Sequence, residues 1–387
     1  MKILIYISFI ALLLSNCKNE KTKDISEEYP LIERKESLRN GKEWENMHNL
    51  YTKLAETIRL KPNDPKAYIE MAELFMVEAR VTGEHGHYYP LALKLIEQGQ
   101  MMGKENKDYQ FRAMSDKASV QLSLHQFENA KNTAQEAIKI NAYNSQIYGA
   151  LVDANVELGN YKEAVEMADK MVSIRPDLRS YSRVSYLREI YGDLDGAIEA
   201  MKQAVESGYP GYEETAWTRL QLGNLYKKKG DTLQALYQYH KILDERPNYA
   251  FAMAAIAEQE MNTNKLDSAE KRIDQAIALM PEVSFYILKS EIKTKQGKED
   301  ESMQIAKEVL TMLQADEKAG HKMDLTYARV YDQLFSDEQK ALQYGLKEYE
   351  IRPNNVEVNK FLTDLYTKMG NVTKATEHHA KSMVEKI

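Results

Sequence analysis

Residues 216–247, AWTRLQLGNLYKKKGDTLQALYQYHKILDERP, decide the fold. Leu222, Gly223 and Tyr226 mark one helix, and Ala235, Tyr239 and Ile242 mark a second. Gly230-Asp231 breaks the pattern between them, glycine being the residue that ends a helix in the left-handed conformation. Pro247 stops the second helix because it cannot donate the next backbone hydrogen bond. Gly223 and Ala235 carry almost no side chain, so the two antiparallel helices can approach closely. The stretch reads as one helix-turn-helix unit.

The unit recurs. Ala92, Ala130, Ala164, Ala197, Ala235, Ala269, Ser302, Ala341 and Ala375 follow one another at intervals of 33 to 39 residues. Pro176, Pro210, Pro247, Pro281 and Pro353 form a second ladder in register with the first, with Ala142 standing in at an earlier unit. Self-similarity at about 34 residues means a solenoid in which each unit buries its apolar face against its neighbours. The stretch 216–247 closely resembles the tetratricopeptide repeat, with Leu-Gly, Tyr, Gly, Ala, Tyr and Pro at that family's spacing. The resemblance implies an all-α, right-handed superhelical solenoid of about nine antiparallel helix pairs over residues 41–387. A helix from about Glu43 to Leu60 reads as a half-repeat cap.

Composition agrees with a helical repeat: 17 Gly and 9 Pro in 387 residues, and a formal charge of −7 with both signs interspersed. No basic stripe is present to neutralise phosphates, which excludes nucleic acid as the expected partner. Residues 1–16 begin Met1-Lys2 and continue through an apolar run from Ile3 to Leu14. A charged start followed by so short a run reads as a secretory signal. The run ends Leu14-Ser15-Asn16-Cys17, which resembles a bacterial lipobox except that Asn16 stands where Gly or Ala is usual. The resemblance implies removal of residues 1–16 and acylation of Cys17, the one cysteine of the chain. No disulfide can then form. Residues 17–40 are polar and without helical period, and are expected to form a flexible lipidated tether spanning about 25–30 Å.

No catalytic signature is present: no G-x-S-x-G elbow, no phosphate loop, no H-E-x-x-H helix and no C-x-x-C. We therefore expect no enzyme activity and no cofactor. His85-x-His87, in what reads as an inserted loop Val81–Pro90, and His378-His379 supply at most two ligands each, so no metal is expected. The link Thr311–Met323 reads as a second, polar irregularity. Insertions in solenoids fall on one face, often the binding face, and are also tolerated as plain loop extensions.

In the tetratricopeptide family the first helix of each repeat lines a concave groove. Carried over by register, the groove positions are Arg179, Ser182, Arg183 and Tyr186, then Trp217, Leu220, Asn224 and Lys227, then Phe251, Ala254 and Glu258. Trp217 lies two positions before the family's frequent aromatic, where this chain has Arg219. It either projects into the groove as a partner anchor or packs against the neighbouring repeat. Some members bind a chaperone's C-terminal carboxylate through paired Lys and Asn residues. Asn224 matches that pattern, but Leu220 stands where a Lys is needed, so the activity is not carried over. The resemblance implies a lipid-anchored scaffold of the outer membrane, on its periplasmic face or the cell surface, holding protein partners of the envelope in its groove, as in Bacteroidetes-like lipoproteins. The alternative is a surface lipoprotein that captures a glycan or peptide on Tyr181, Tyr186 and Trp217.

Overall fold

The computed structural model describes residues 25–384. The signal segment, Cys17 and the first part of the tether lie outside the described residues. Among the described residues there is no strand, and no helix is long and apolar enough to cross a membrane. A short α1 (Ile25–Glu28) precedes the cap helix α2 (Lys42–Leu60). Nine antiparallel pairs follow. The first five are α3 (Pro65–Thr82) with α4 (His85–Met102), α5 (Lys107–Ser123) with α6 (Phe127–Ile140), α7 (Ser145–Leu158) with α8 (Tyr161–Ile174), α9 (Leu178–Ile190) with α10 (Leu194–Glu206), and α11 (Glu213–Lys229) with α12 (Thr232–Glu245). The last four are α13 (Ala250–Asn262) with α14 (Leu266–Leu279), α15 (Val283–Lys295) with α16 (Glu299–Lys318), α17 (Asp324–Gln333) with α18 (Glu338–Ile351), and α19 (Val356–Lys368) with α20 (Val372–Lys381). The fold is a tetratricopeptide-like α-solenoid.

The small-residue ladder is what lets each pair close. Every one of its nine members is buried. A Cβ on Gly223 would come within 2.3 Å of the Tyr239 ring, so only glycine allows α11 and α12 to meet there. Where serine replaces glycine at the same place, its hydroxyl bonds across the pair: Ser185 Oγ donates to the Ala197 carbonyl at 2.7 Å, and Ser290 and Ser302 bond to each other at 2.9 Å. The hydroxyl is thereby satisfied, and no desolvation cost is left standing. At the turn of the 216–247 unit Gly230 adopts φ +86°, and the Asp231 carboxylate caps α12 by accepting from Gln234 N. A cap of this kind contributes about 1 kcal/mol.

The solenoid coils until its second half touches its first. The Lys322 amide donates to the Leu124 carbonyl at 3.1 Å, joining the α16–α17 link to the α5–α6 turn. Asn355 Nδ2 donates to the Glu157 carbonyl at 2.9 Å, and the Val356 amide to Tyr161 Oη at 2.7 Å, joining the α18–α19 link to the α7–α8 turn. Gly159, at φ +80°, lies so close to Asn354 that a Cβ would fall 2.4 Å from its backbone carbonyl carbon.

Three expectations are corrected. From Ile25 onward the tether is a packed strap. Tyr29 is 2% exposed and its carbonyl accepts from Tyr51 Oη at 2.8 Å. Arg34 is 1% exposed and holds Glu78 of α3 through two nitrogens. Lys35 Nζ reaches the Ala278 carbonyl, and Asn40 Nδ2 the Gly211 carbonyl at 3.1 Å. A few well-placed anchors order a segment whose average composition is that of a coil. Second, Val81–Pro90 is not an inserted loop. Gly83 and Glu84 alone make the turn, and the extra residues lengthen α3 and α4, burying Tyr88 and Tyr89. Third, most of Thr311–Met323 is the last turns of α16, with only 319–323 as link.

Candidate partner-binding groove

The first helices of the first five repeats surround a groove of about 970 Å³. Its wall repeats the helical period: Glu73, Met76, Val77 and Arg80 on α3; Asp116, Ser119 and Ser123 on α5; Gln146, Ala150, Asp153 and Glu157 on α7. From α9 come Arg179, Ser182, Arg183, Tyr186 and Glu189, and from α11 Glu213, Glu214, Trp217, Gln221 and Asn224. Residues three or four apart share one face of a helix. Parallel first helices in successive repeats therefore present one continuous wall.

Curvature folds that wall into an enclosure. Arg80 of the first repeat lies 3.8 Å from Glu213 of the fifth. Arg246, after α12, reaches Glu43 of the cap helix at 2.7 Å, and Glu43 also holds Arg34 at 2.8 Å. The strap thus ties the two ends of the wall.

Six of the groove positions read from the sequence line this space: Arg179, Ser182, Arg183, Tyr186, Trp217 and Asn224. Trp217 is 44% exposed and Tyr186 38%, both on the open face. Of the two placements considered for Trp217, the structure has the one that projects into the groove. Arg183 is anchored, its Nε 2.8 Å from Asp153 Oδ1, and Arg179 pairs with Glu214. The remaining positions fall elsewhere. Leu220 is buried with Ala216, Tyr239 and Ile256 in the packing between the fifth and sixth repeats. Lys227 is paired with Glu258 at 2.7 Å across α11 and α13, outside the groove lining. Phe251 packs between the core clusters of its neighbours and lies 5.2 Å from Phe285, ring centre to ring centre, edge to face, and Ala254 is buried beside it. α13 lies past the point where the wall has closed. Tyr181 packs with Ala197, Ile198 and Leu222, which removes it from any aromatic platform.

The groove residues that register reasoning missed are on α3, α5 and α7, above all Glu73, Asp116, Asp153 and Glu157. Asp116 is 4% exposed, and its Oδ2 has no hydrogen-bond partner. Burial, reinforced by the neighbouring Glu73 carboxylate, pushes its pKa up to about 8. Of the histidines, His85 and His378 serve packing. His85 sits against Tyr89 and His321 where the two halves of the coil meet, and burial lowers its pKa to about 4. His378 is buried with Nδ1 2.9 Å from Asn359 Oδ1. Among the described residues no group of three or more His, Cys, Asp or Glu converges as a metal site.

A family model for the tetratricopeptide repeat matches residues 145–178, the α7–α8 pair that forms the middle of the wall. No curated protein matches the sequence. Among solved structures, the human IFIT1 dimer with PPP-AAAA is similar at 12% identity and a TM-score of 0.47, covering 93% of this chain and 99% of that one. A tetratricopeptide repeat protein from Parabacteroides merdae is similar at 15% identity and 0.43, covering 66% and 98%. A thermophilic tetratricopeptide protein of Thermus thermophilus is similar at 19% identity and 0.44, covering 51% and 99%. Nothing about this chain's ligand follows from likeness at that level.

Proposed function

We propose that this chain is a lipid-anchored scaffold of the bacterial outer membrane, acylated at Cys17, that holds a segment of a protein partner of the envelope in the groove of its first five repeats. The observation that carries the reading is the groove itself. It combines about 970 Å³ of space with an exposed Trp217 and Tyr186 on a wall otherwise fixed by ion pairs. Exposed aromatics on a rigid wall are the usual anchors of a protein interface, because they bury a large area for little lost rotamer freedom. Anchoring by a lipid would concentrate the groove near the membrane and raise the effective concentration of any partner there.

The test is crosslinking and pull-down of the acylated protein from its native membrane, beside a Trp217→Ala/Tyr186→Ala variant. One envelope protein enriched by the wild type and lost with the variant is the expected result. Identical profiles would remove the groove from the reading. Membrane fractionation of Cys17→Ala tests the anchor: the protein should leave the membrane fraction.

A further inference from the structure

Asp116 is the one carboxylate of the groove, among the described residues, without an ion-pair partner. Seven carboxylates line the groove against three guanidinium groups. Glu73 is 2.7 Å from Arg112, Asp153 pairs with Arg183, Glu157 with Arg352, and Glu189 is 3.0 Å from Lys228. Glu213 faces Arg80 and Glu214 faces Arg179. Besides a hydrogen bond from Gln146, Asp116 has only a share of Arg112, which lies one helical turn away on α5 and is already bonded to Glu73, and its Oδ2 is left free. When Asp116 ionises, the local arrangement of two carboxylates and one guanidinium is short by one positive charge.

From this geometry we infer that the groove is built for an extended peptide segment bearing lysine or arginine, with one cationic side chain seated on Asp116 and Glu73. The inference rests on the docking role proposed above and adds its chemistry. A buried carboxyl with a free oxygen is costly to ionise unless a cation joins it, so a ligand cation recovers energy at that place that a neutral ligand cannot. Every other carboxylate of the wall is already paired with a cation, so the preference for a cationic ligand rests on Asp116. Trp217 and Tyr186 suit the neighbouring residues of such a segment, since aromatic faces accept both apolar side chains and cations. The same wall argues against a bare metal ion, because no three ligating groups converge on it.

The experiment uses the full chain and three fluorescein-labelled octapeptides of alternating Lys-Tyr, Gln-Tyr and Glu-Tyr, read by anisotropy at low salt. The Lys-Tyr probe should bind about tenfold or more tightly than the Gln-Tyr probe, the Glu-Tyr probe least, and the advantage should shrink as salt screens it. Asp116→Asn should remove most of that advantage, bringing the Lys-Tyr affinity close to that of the Gln-Tyr probe. Ser119→Asp, which adds a carboxylate one helical turn away on the same wall, should increase it. Asp116→Asn is nearly isosteric, and an unchanged helical circular dichroism spectrum would exclude unfolding as the cause of lost binding. Equal affinity for all three probes, or a Lys-Tyr affinity indifferent to Asp116→Asn, overturns the inference and leaves the docking role standing. No binding by any probe overturns the inference, while recovery of a partner lost with Trp217→Ala/Tyr186→Ala would still uphold the docking role.

Discussion

Replacing Arg34 with methionine should unlock the strap, and the size of the effect follows from what Arg34 leaves behind. Its guanidinium is fully buried and meets Glu78 at 2.8 Å through Nε, with a second bond through Nη2. A third nitrogen reaches Glu43, and the Trp44 ring lies 5.2 Å from the guanidinium carbon. Glu78 itself has no exposed surface. Arg34→Met keeps most of the apolar volume but strands the Glu78 carboxylate, and breaking such a buried pair costs about 3–5 kcal/mol. A solenoid unfolds by neighbouring units, not all at once, so the loss should be local. Hydrogen exchange read by mass spectrometry should show α2, α3 and the strap exchanging about a hundredfold to a few thousandfold faster, with the last three repeats unchanged. Arg34→Met/Glu78→Leu should recover most of the loss, since an apolar pair of similar shape needs no counter-charge. A single variant within about 1 kcal/mol of wild type, or a double variant as unstable as the single, would refute the claim that the buried pair holds the strap.

Three further outcomes can be checked separately. Gly159→Ala places a Cβ against the backbone at Asn354 in a left-handed conformation, and should loosen the contact between α7–α8 and α18–α19 by about 2–4 kcal/mol, read as faster exchange at both. Asp116 binds its proton more tightly folded than unfolded, its pKa being raised to about 8. Its contribution should therefore weaken stability as pH rises from about 4 to 8, and urea melts of Asp116→Asn should lack that part of the decline. Trp217→Ala should lower stability by about 1–2 kcal/mol, because somewhat more than half of the residue is covered, while reducing binding in the pull-down; a loss as large as a buried Trp→Ala change, about 3–5 kcal/mol, would mean that the ring is structural.

How much of this was legible in the sequence depends on the distance over which each feature is determined. The pairing of α11 with α12 is set by Gly223, Ala235 and Tyr239 within one repeat, and the ladder of small residues carries the same information through all nine pairs. Local spacing could therefore fix the fold class and the helix cap at α2. The strap could not be read the same way. Arg34 is a polar residue in a polar segment until Glu78, 44 residues on, gives it a buried partner. Val81–Pro90 looked like a loop because it contains two glycines and a proline, yet Tyr88 and Tyr89 bury themselves only if α4 begins at His85. In each case a tertiary contact overrode the local signal.

The groove was half legible for a related reason. Register identifies which side of each first helix faces inward, and that was enough to place Arg179, Arg183, Tyr186, Trp217 and Asn224 on the wall. Which repeats share one enclosure is set instead by rotation summed from repeat to repeat, a quantity no single unit contains. The sum brings Arg80 to Glu213 and so encloses α3, α5, α7, α9 and α11, leaving Phe251 and Glu258 of α13 beyond the closure. The same sum brings Glu43 to Arg246 and Arg352 to Glu157. At the closure these ion pairs are joined by apolar contacts, Val356 packing with Val152, Val156 and Tyr161 and Tyr89 meeting His321, whereas neighbouring repeats are joined by larger buried apolar clusters. Ion pairs of this kind respond to charge reversal, and their exposed members to salt, whereas apolar packing does not. The width of the groove is therefore governed by these ion pairs, the strap that organises them and the apolar contacts beside them, while the repeats behind it are held by their packed cores.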